Sequence, residues 1–121
     1  MTLAWQDLLG VPFLLGGDDP AVGLDCWGQA RVIRARLGRE IQALPTREGD
    51  CLPLCALTCV GQRPTRSSEV GDLIFGDPEG KGYPSHVSIV VEPGRALTTT
   101  IRHGPLSISV RAAACEYGVW R

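Results

Sequence analysis

The chain has 121 residues and a mass of 13.0 kDa, which suits a single domain spanning residues 1–121. Hydrophobic residues make up 44% and charged residues 21%, an ordinary globular composition that excludes a disordered chain. The formal net charge of −1 argues against nucleic acid as a partner, because binding to a phosphate backbone requires a basic surface. No apolar run approaches the roughly 20 residues that span a bilayer, so no membrane span is expected.

The first residues lack the basic stretch and apolar core of a secretory signal. We therefore expect the chain to be made in the cytoplasm without a signal peptide of its own. The five cysteines are then expected to be reduced, because disulfides persist in oxidising compartments.

In chain order, residues 4–9 predict a short amphipathic helix. Glycine, proline and aspartate crowd residues 10–25, which predicts a loop. The clearest helix follows, with Asp25 as its N-cap and Gly38 just past its C-terminal end. Apolar residues recur at helical spacing between these two ends, at Trp27, Ala30, Ile33 and Leu37.

Residues 40–68 carry weaker signals. A second short helix around residues 51–60 is one interpretation, and residues 63–68 read as a polar loop. The remainder is strand-like, with a tight turn at residues 92–95. The predicted strands cover residues 72–75, 86–91, 96–101, 106–110 and 119–120. Helices followed by antiparallel strands are typical of an α+β domain.

Cys26 is the first candidate for chemistry because it lies at the N-terminal end of the clearest helix. Free N–H groups and a partial positive charge at such an end stabilise a thiolate, which predicts a pKa below about 8.5. The same N–H groups can hold an oxyanion. The alternative is a buried cysteine that packs as a small apolar residue.

His86 is the second candidate. It opens a predicted strand directly after a loop, so its side chain can stand at a sheet edge and face a cleft. A cysteine nucleophile needs a base of near-neutral pKa, and the chain offers only His86 and His103. A lone histidine more often has a structural or surface role, so the hypothesis depends on the pairing with Cys26.

The other cysteines are less informative. Cys51, Cys55 and Cys59 are spaced four apart and would share one face of a helix. Three ligands on one helix suit tetrahedral zinc poorly, so we expect packed, reduced thiols and neither a metal nor a cofactor. A disulfide from Cys115 to one of these three would need an oxidising location.

Four stretches of the sequence together resemble the NlpC-type cell-wall cysteine peptidase family. They are residues 10–17 (GVPFLLGG), 23–28 (GLDCWG), 71–75 (GDLIF) and 86–91 (HVSIVV). The resemblance runs from about residue 8 to residue 100 and implies a minimal papain-like fold, with N-terminal helices packed on a C-terminal antiparallel β-sheet. Trp27 resembles the variant found in phage-tail members, where bacterial wall enzymes more often have serine.

The resemblance also implies roles. Cys26 would be the nucleophile and His86 the base in hydrolysing a peptidoglycan stem peptide, often between D-glutamate and the diamino acid, without a metal. Phe13, Asp25 and Trp27 would lie beside the substrate. The family commonly has tyrosine where Phe13 stands, and phenylalanine cannot supply that hydroxyl.

A third catalytic residue in the family is a polar side chain, often histidine, on the strand after the catalytic histidine. Counting along the chain brings Thr98 near this place, whereas His103 is the better acceptor chemically. A two-residue loop within residues 92–95 would put His103 on the face of His86, and a three-residue loop would put Thr98 there. We take His103 as the third catalytic residue and keep Thr98 as the alternative.

The function expected from these features is that of a peptidoglycan stem-peptide endopeptidase. It would belong to a phage tail or tail-like particle that opens the cell wall locally, with tail-tip proteins as further partners. One alternative is a structural tail-tip protein of the same fold with little or no activity. Another is a cysteine amidase or acyl-transfer enzyme that acts on a different amide.

Overall fold

A computed structural model describes residues 3–43, 64–66 and 68–121. The possible helix around residues 51–60 lies outside these ranges, and so do Cys51, Cys55 and Cys59. The described chain contains one α-helix, α1 (Cys26–Arg36), preceded by a 3₁₀ turn at Gln6–Leu8. The strands are β1 (Asp18–Asp19), β2 (Gly23–Leu24), β3 (Pro64–Thr65), β4 (Leu73–Gly76), β5 (His86–Glu92), β6 (Arg95–Thr100), β7 (Gly104–Ser109) and β8 (Val119–Trp120).

The larger sheet has six antiparallel strands in the order β3-β8-β4-β5-β6-β7. One helix packed on this sheet makes the fold α+β, which confirms the predicted class. The sequence patterns did not predict three two-residue strands, β1, β2 and β3, because they lie in segments rich in loop-forming residues. Pro64–Thr65 pairs with β8 at the sheet edge, where a proline is tolerated, and β1 forms a small hairpin with β2.

Helix α1 forms where the capping signals predicted it. Asp25 is the N-cap, and its Oδ1 atom accepts a hydrogen bond of 2.7 Å from the N–H of Gly28. At the other end, Gly38 has a φ of +72°, the left-handed conformation that suits glycine after a helix. The buried face of the helix carries Trp27, Ala30 and Ile33 and packs on β5 and β6.

Strand β5 presents its residues alternately to two apolar clusters. Val87, Ile89 and Val91 join the cluster that contains the buried face of α1. Val90 belongs to a second cluster with Ile74, Ala96 and Ala113. Because side chains two residues apart share a face, His86 and Ser88 lie on the side of β5 that carries Val90.

A β-bulge in the β5–β6 hairpin decides which residues share that face. Glu92 pairs with Arg95 across a two-residue turn, but the next pair along the strands is Val90 with Ala96. Val91 is therefore the extra residue of the bulge, and it shifts the alternation of β5 against β6 by one position. A two-residue turn alone would put His103 on the face of His86, as expected from the sequence. The bulge shifts the alternation, so Thr98 lies on that face instead.

The loop before α1 touches the helix through glycines. A Cβ atom on Gly28 would lie 1.7 Å from the carbonyl oxygen of Gly17, far too close for two atoms that are not bonded to each other. A Cβ atom on Gly17 would in turn lie 2.4 Å from the carbonyl oxygen of Gly23. The absence of side chains at these positions lets the loop pack directly against the first turn of α1.

We predict that Gly28→Ala lowers the free energy of unfolding by about 3 kcal/mol, because the added methyl group forces the loop away from the helix. Urea unfolding would measure this loss. Gly80→Ala is the matched control, since a Cβ atom there meets nothing within 4 Å and only the φ of +69° is strained. The control should lose about 1 kcal/mol. Equal losses in the two variants would contradict the packing argument.

Candidate active site

Cys26 is the first residue of α1, half-buried and packed against the main apolar cluster. The preceding Asp25 fixes this position through both carboxylate oxygens. Oδ1 accepts from the N–H of Gly28, and Oδ2 accepts from the N–H of Gly16 at 2.8 Å. The glycine-rich loop and the helix start are thereby joined at the residue next to the thiol.

Burial raises the pKa of the Cys26 thiol to about 11, and the negative charge of Asp25 adds to the effect. The backbone N–H groups of Val87, Trp27 and Cys26 itself favour the thiolate and lower the pKa. These N–H groups act in the direction predicted from the sequence, but the predicted pKa below 8.5 is wrong because burial outweighs them. The thiol is therefore protonated at neutral pH.

The thiol of Cys26 lies at the start of strand β5. Val87, whose backbone N–H favours the thiolate, directly follows His86, and α1 packs along β5. The structure thus brings Cys26 to the backbone beside His86. Burial lowers the pKa of His86, and the charge of Glu79 opposes this shift in part. At neutral pH both side chains are uncharged.

Thr98 occupies the position beside the His86 ring. The Nε2 atom of His86 is 2.5 Å from the Oγ1 atom of Thr98. If Nε2 carries the proton and donates it to this hydroxyl, Nδ1 is left unprotonated and can accept a proton. The structure does not bring His103 to this ring: His103 is exposed in the turn after β6, where its backbone N–H donates to the hydroxyl of Thr100. The geometry therefore favours Thr98, the alternative, and the identity of the third catalytic residue stays a prediction.

The three residues expected beside the substrate have different surroundings. Trp27 is only 2% exposed, donates its indole N–H to the carbonyl oxygen of Gln42, and packs against Phe75 with ring centroids 6.4 Å apart. Asp25 is also buried, and both of its oxygens accept from backbone N–H groups. Both side chains are thus buried and hydrogen-bonded within the protein, and their part in substrate binding stays a prediction.

Phe13, in contrast, is half-buried close to the helix start. Its backbone forms an isolated parallel bridge with Leu24, supported by a bond from the N–H of Leu14 to the carbonyl oxygen of Leu24. The segment around Phe13 therefore runs alongside the residues that lead into Cys26. Its part in substrate binding stays a prediction.

Sequence reasoning missed Gln29, which ties α1 to β6. Its Nε2 atom donates to the carbonyl oxygen of Leu97 at 3.1 Å, and its Oε1 atom accepts from the hydroxyl of Thr99 at 2.7 Å. Leu97 and Thr99 flank Thr98, so one buried amide connects the helix of Cys26 with the strand of Thr98. The available signal was a polar residue on the buried face, three positions after Cys26.

Three further observations apply to the described residues, 3–43, 64–66 and 68–121. None of their helices is long and apolar enough to cross a membrane. Their histidine, cysteine and acidic side chains form no group of three that could hold a metal ion. Cys115 is exposed there with a free thiol.

A thiol at a helix start, placed beside a strand that begins with histidine, contains the parts of a cysteine-nucleophile site. The model of the NlpC/P60 family matches residues 10–117, and the chain belongs to this family. No curated protein sequence gives a significant match.

Solved structures share the fold. The NlpC/p60 domain of the peptidoglycan hydrolase SagA aligns with a TM-score of 0.59 and 24% identity, over 93% of this chain and 87% of that one. A Staphylococcus aureus protein similar to lipoproteins of the NLP/P60 family gives 0.62 and 20%, over 94% and 37%. The P60 domain of an antigen from M. avium subspecies paratuberculosis gives 0.60 and 23%, over 94% and 85%.

The lowered pKa of His86 predicts how stability changes with pH. The unfolded chain binds a proton at this imidazole near pH 6.5, whereas the folded protein binds it only at lower pH. The contribution of His86 is therefore complete above about pH 6.5 and is lost as the pH falls through and below that value. Relative to His86→Gln, wild type should lose stability between pH 8 and pH 5.

Urea unfolding at both pH values measures this difference. His103→Gln removes the other imidazole, in an exposed turn, and serves as the matched control. If wild type instead became more stable relative to His86→Gln on going from pH 8 to pH 5, the result would contradict the burial of a neutral imidazole.

Proposed function

We propose that this protein is a cysteine peptidase that hydrolyses a peptide bond in the stem peptides of peptidoglycan. The observation that carries the proposal is the meeting of the Cys26 thiol with the start of β5, where Thr98 lies at Nε2 of His86. Membership of the NlpC/P60 family supports a cell-wall hydrolase. The domain of SagA, a peptidoglycan hydrolase, shares the fold.

In the first step, His86 acts as a general base. Because burial keeps both groups uncharged, the proton leaves the thiol as the sulfur attacks the substrate carbonyl, and Nδ1 of His86 accepts it. The imidazolium keeps its other N–H on Thr98. The backbone N–H groups at the start of α1, which favour negative charge at the thiol, are placed to hold the oxyanion.

In the second step, the protonated His86 gives its proton to the leaving amine as the peptide bond breaks. The product is a thioester between Cys26 and the remaining acyl group. Water then attacks this thioester while His86 accepts the proton of the water, and the acid product leaves with the thiol restored. The chain's own side chains supply every proton transfer in this sequence.

We predict that Cys26→Ala abolishes hydrolysis and leaves the fold intact, because it removes the nucleophile from a position that tolerates a small apolar side chain. New amino groups released from purified peptidoglycan would measure the activity, and circular dichroism the fold. Cys115→Ala, which removes the exposed free thiol, is the matched control and should keep full activity. Hydrolysis that persists in Cys26→Ala would show that the nucleophile lies elsewhere.

We also predict that Thr98→Val lowers kcat at least tenfold, about 1.4 kcal/mol in the barrier, because the imidazole loses the acceptor that fixes its tautomer. Thr98→Ser keeps a hydroxyl and should retain most of the rate. His103→Ala should leave the rate nearly unchanged, since this residue lies in an exposed turn. A large loss in His103→Ala with none in Thr98→Val would reverse the assignment.

We further propose that the enzyme works on a phage tail or tail-like particle. The support is the sequence around Cys26, where Trp27 resembles the phage-tail variant of the family. The alternative, a structural tail-tip protein without activity, is motivated by Phe13, which lacks the hydroxyl of the tyrosine usual in the family. The Cys26→Ala comparison separates the two.

The tail proposal predicts that the chain co-purifies with intact particles from induced cells of its host. Mass spectrometry of gradient-purified particles would detect it in the fraction that contains assembled tails. A chain found only in the fraction of unassembled proteins would contradict the tail placement and leave the peptidase proposal standing.

A further inference from the structure

Ser88 carries a buried hydroxyl that the site described so far does not use. The residue is 1% exposed, and its Oγ atom has no hydrogen-bond partner within the described ranges. A buried hydroxyl without a partner loses its hydrogen bonds to water without compensation, a loss that an alanine at the same place would avoid. The hydroxyl therefore calls for a physical explanation.

Its place in the sheet brings Ser88 to the polar side of the site. Ser88 follows His86 by two residues on β5 and shares its face. Thr98 is on the same face of β6, because Val90 pairs with Ala96 and each strand alternates from that pair. The side chains of His86, Ser88 and Thr98 thus form one group on the face of the sheet that carries Val90 and Ala96.

No hydrogen bond joins the hydroxyls of Ser88 and Thr98, because Ser88 Oγ has no partner within the described ranges. In the described part of the chain, the paired register of β5 and β6 ends at Ile89 and Leu97, although both strands continue beyond these residues. Residues opposite each other on neighbouring strands have Cβ atoms about 4.5–5.5 Å apart, and a wider separation exceeds the reach of two short hydroxyls. A water molecule between two such hydroxyls can hydrogen-bond to both.

The hydroxyl of Thr98 also needs an acceptor for its own hydrogen. If Thr98 Oγ1 accepts the Nε2–H of His86, its own hydrogen must point away from the ring, toward another acceptor. A water molecule held by Ser88 is such an acceptor, and buried waters are found where several polar groups converge. The same water would bond to Ser88 Oγ, which has no partner among the residues that the structure describes.

We propose that Ser88 is a positioning residue, whose hydroxyl holds a water molecule that orients the Thr98 hydroxyl and so keeps the proton of His86 on Nε2. This inference rests on the proposed function, in which Nδ1 of His86 must be free to accept the proton of Cys26. Ser88 touches neither the substrate nor the thiol. It acts only through Thr98.

The first test reads the tautomer directly and needs no substrate. With ¹⁵N-labelled histidine, NMR at pH 8 reports which ring nitrogen of His86 carries the proton, and His103 is an internal reference. Wild type should show the Nε2–H form, and Ser88→Ala should shift His86 measurably toward the Nδ1–H form. Ser88→Thr retains the hydroxyl and should keep the wild-type signal, as should the control Ser109→Ala on β7.

The second test is kinetic. Ser88→Ala should lower kcat about three- to tenfold with KM unchanged, while its free energy of unfolding stays equal to or above that of wild type. In a Thr98→Val background, Ser88→Ala should have no further effect, because the path through Thr98 is already broken.

The outcomes separate this inference from the proposed function. A tautomer shift in Ser88→Ala supports the inference even if no variant hydrolyses peptidoglycan, in which case only the peptidase proposal fails. An unchanged tautomer of His86 in a folded Ser88→Ala variant overturns the inference. It is also overturned if Ser88→Ala lowers kcat by the same factor in the Thr98→Val background as in wild type.

Discussion

The carboxylate of Asp25 joins the two parts of the chain that the site depends on. One oxygen accepts the N–H of Gly28 in the first turn of α1, and the other accepts the N–H of Gly16 in the preceding loop. Because Cys26 lies between the cap and that first turn, its position follows from the cap geometry. The hydrogen bonds from these N–H groups are strong because the carboxylate that accepts them is charged. The same negative charge lies beside the Cys26 thiol, raises its pKa and helps to keep it protonated.

The chemistry proposed for the site agrees with this electrostatic setting. An exposed helix start would favour a preformed thiolate and imidazolium, whereas here burial favours the uncharged form of both Cys26 and His86. The proton then moves during the attack, so the orientation of the imidazole matters. Thr98 holds the far side of the ring, and Gln29 fixes the strand of Thr98 to the helix of Cys26.

The polar side chains around β6 form two groups, one on each face of this strand. Gln29 and Thr99 form a satisfied link on the face toward α1. Thr98 and Ser88 lie on the other face with His86. The Thr98 hydroxyl contacts the ring, and the Ser88 hydroxyl has no partner among the residues that the structure describes. Gln29 thus links the helix to strand β6, and Thr98 contacts the imidazole on the other face.

Local signals in the sequence determined the elements and the two principal residues. A capping aspartate, apolar residues at helical spacing and a terminal glycine specified α1, and the same cap located Cys26 at its start. A β-branched run after a glycine-rich loop located His86 at the start of a strand. Each of these signals acts between residues a few positions apart, so the sequence alone displays it.

Only the tertiary structure decided the rest. The bulge at Val91 adds one residue to β5 and has no local signature in the sequence. A shift of one position turns every following side chain to the opposite face, so Thr98 rather than His103 shares the face of His86. Trp27 turned out to belong to the core, since the packing of α1 on the sheet chose its face. The pKa of Cys26 rose rather than fell because burial is set by residues from distant parts of the chain, whereas the helix end acts locally.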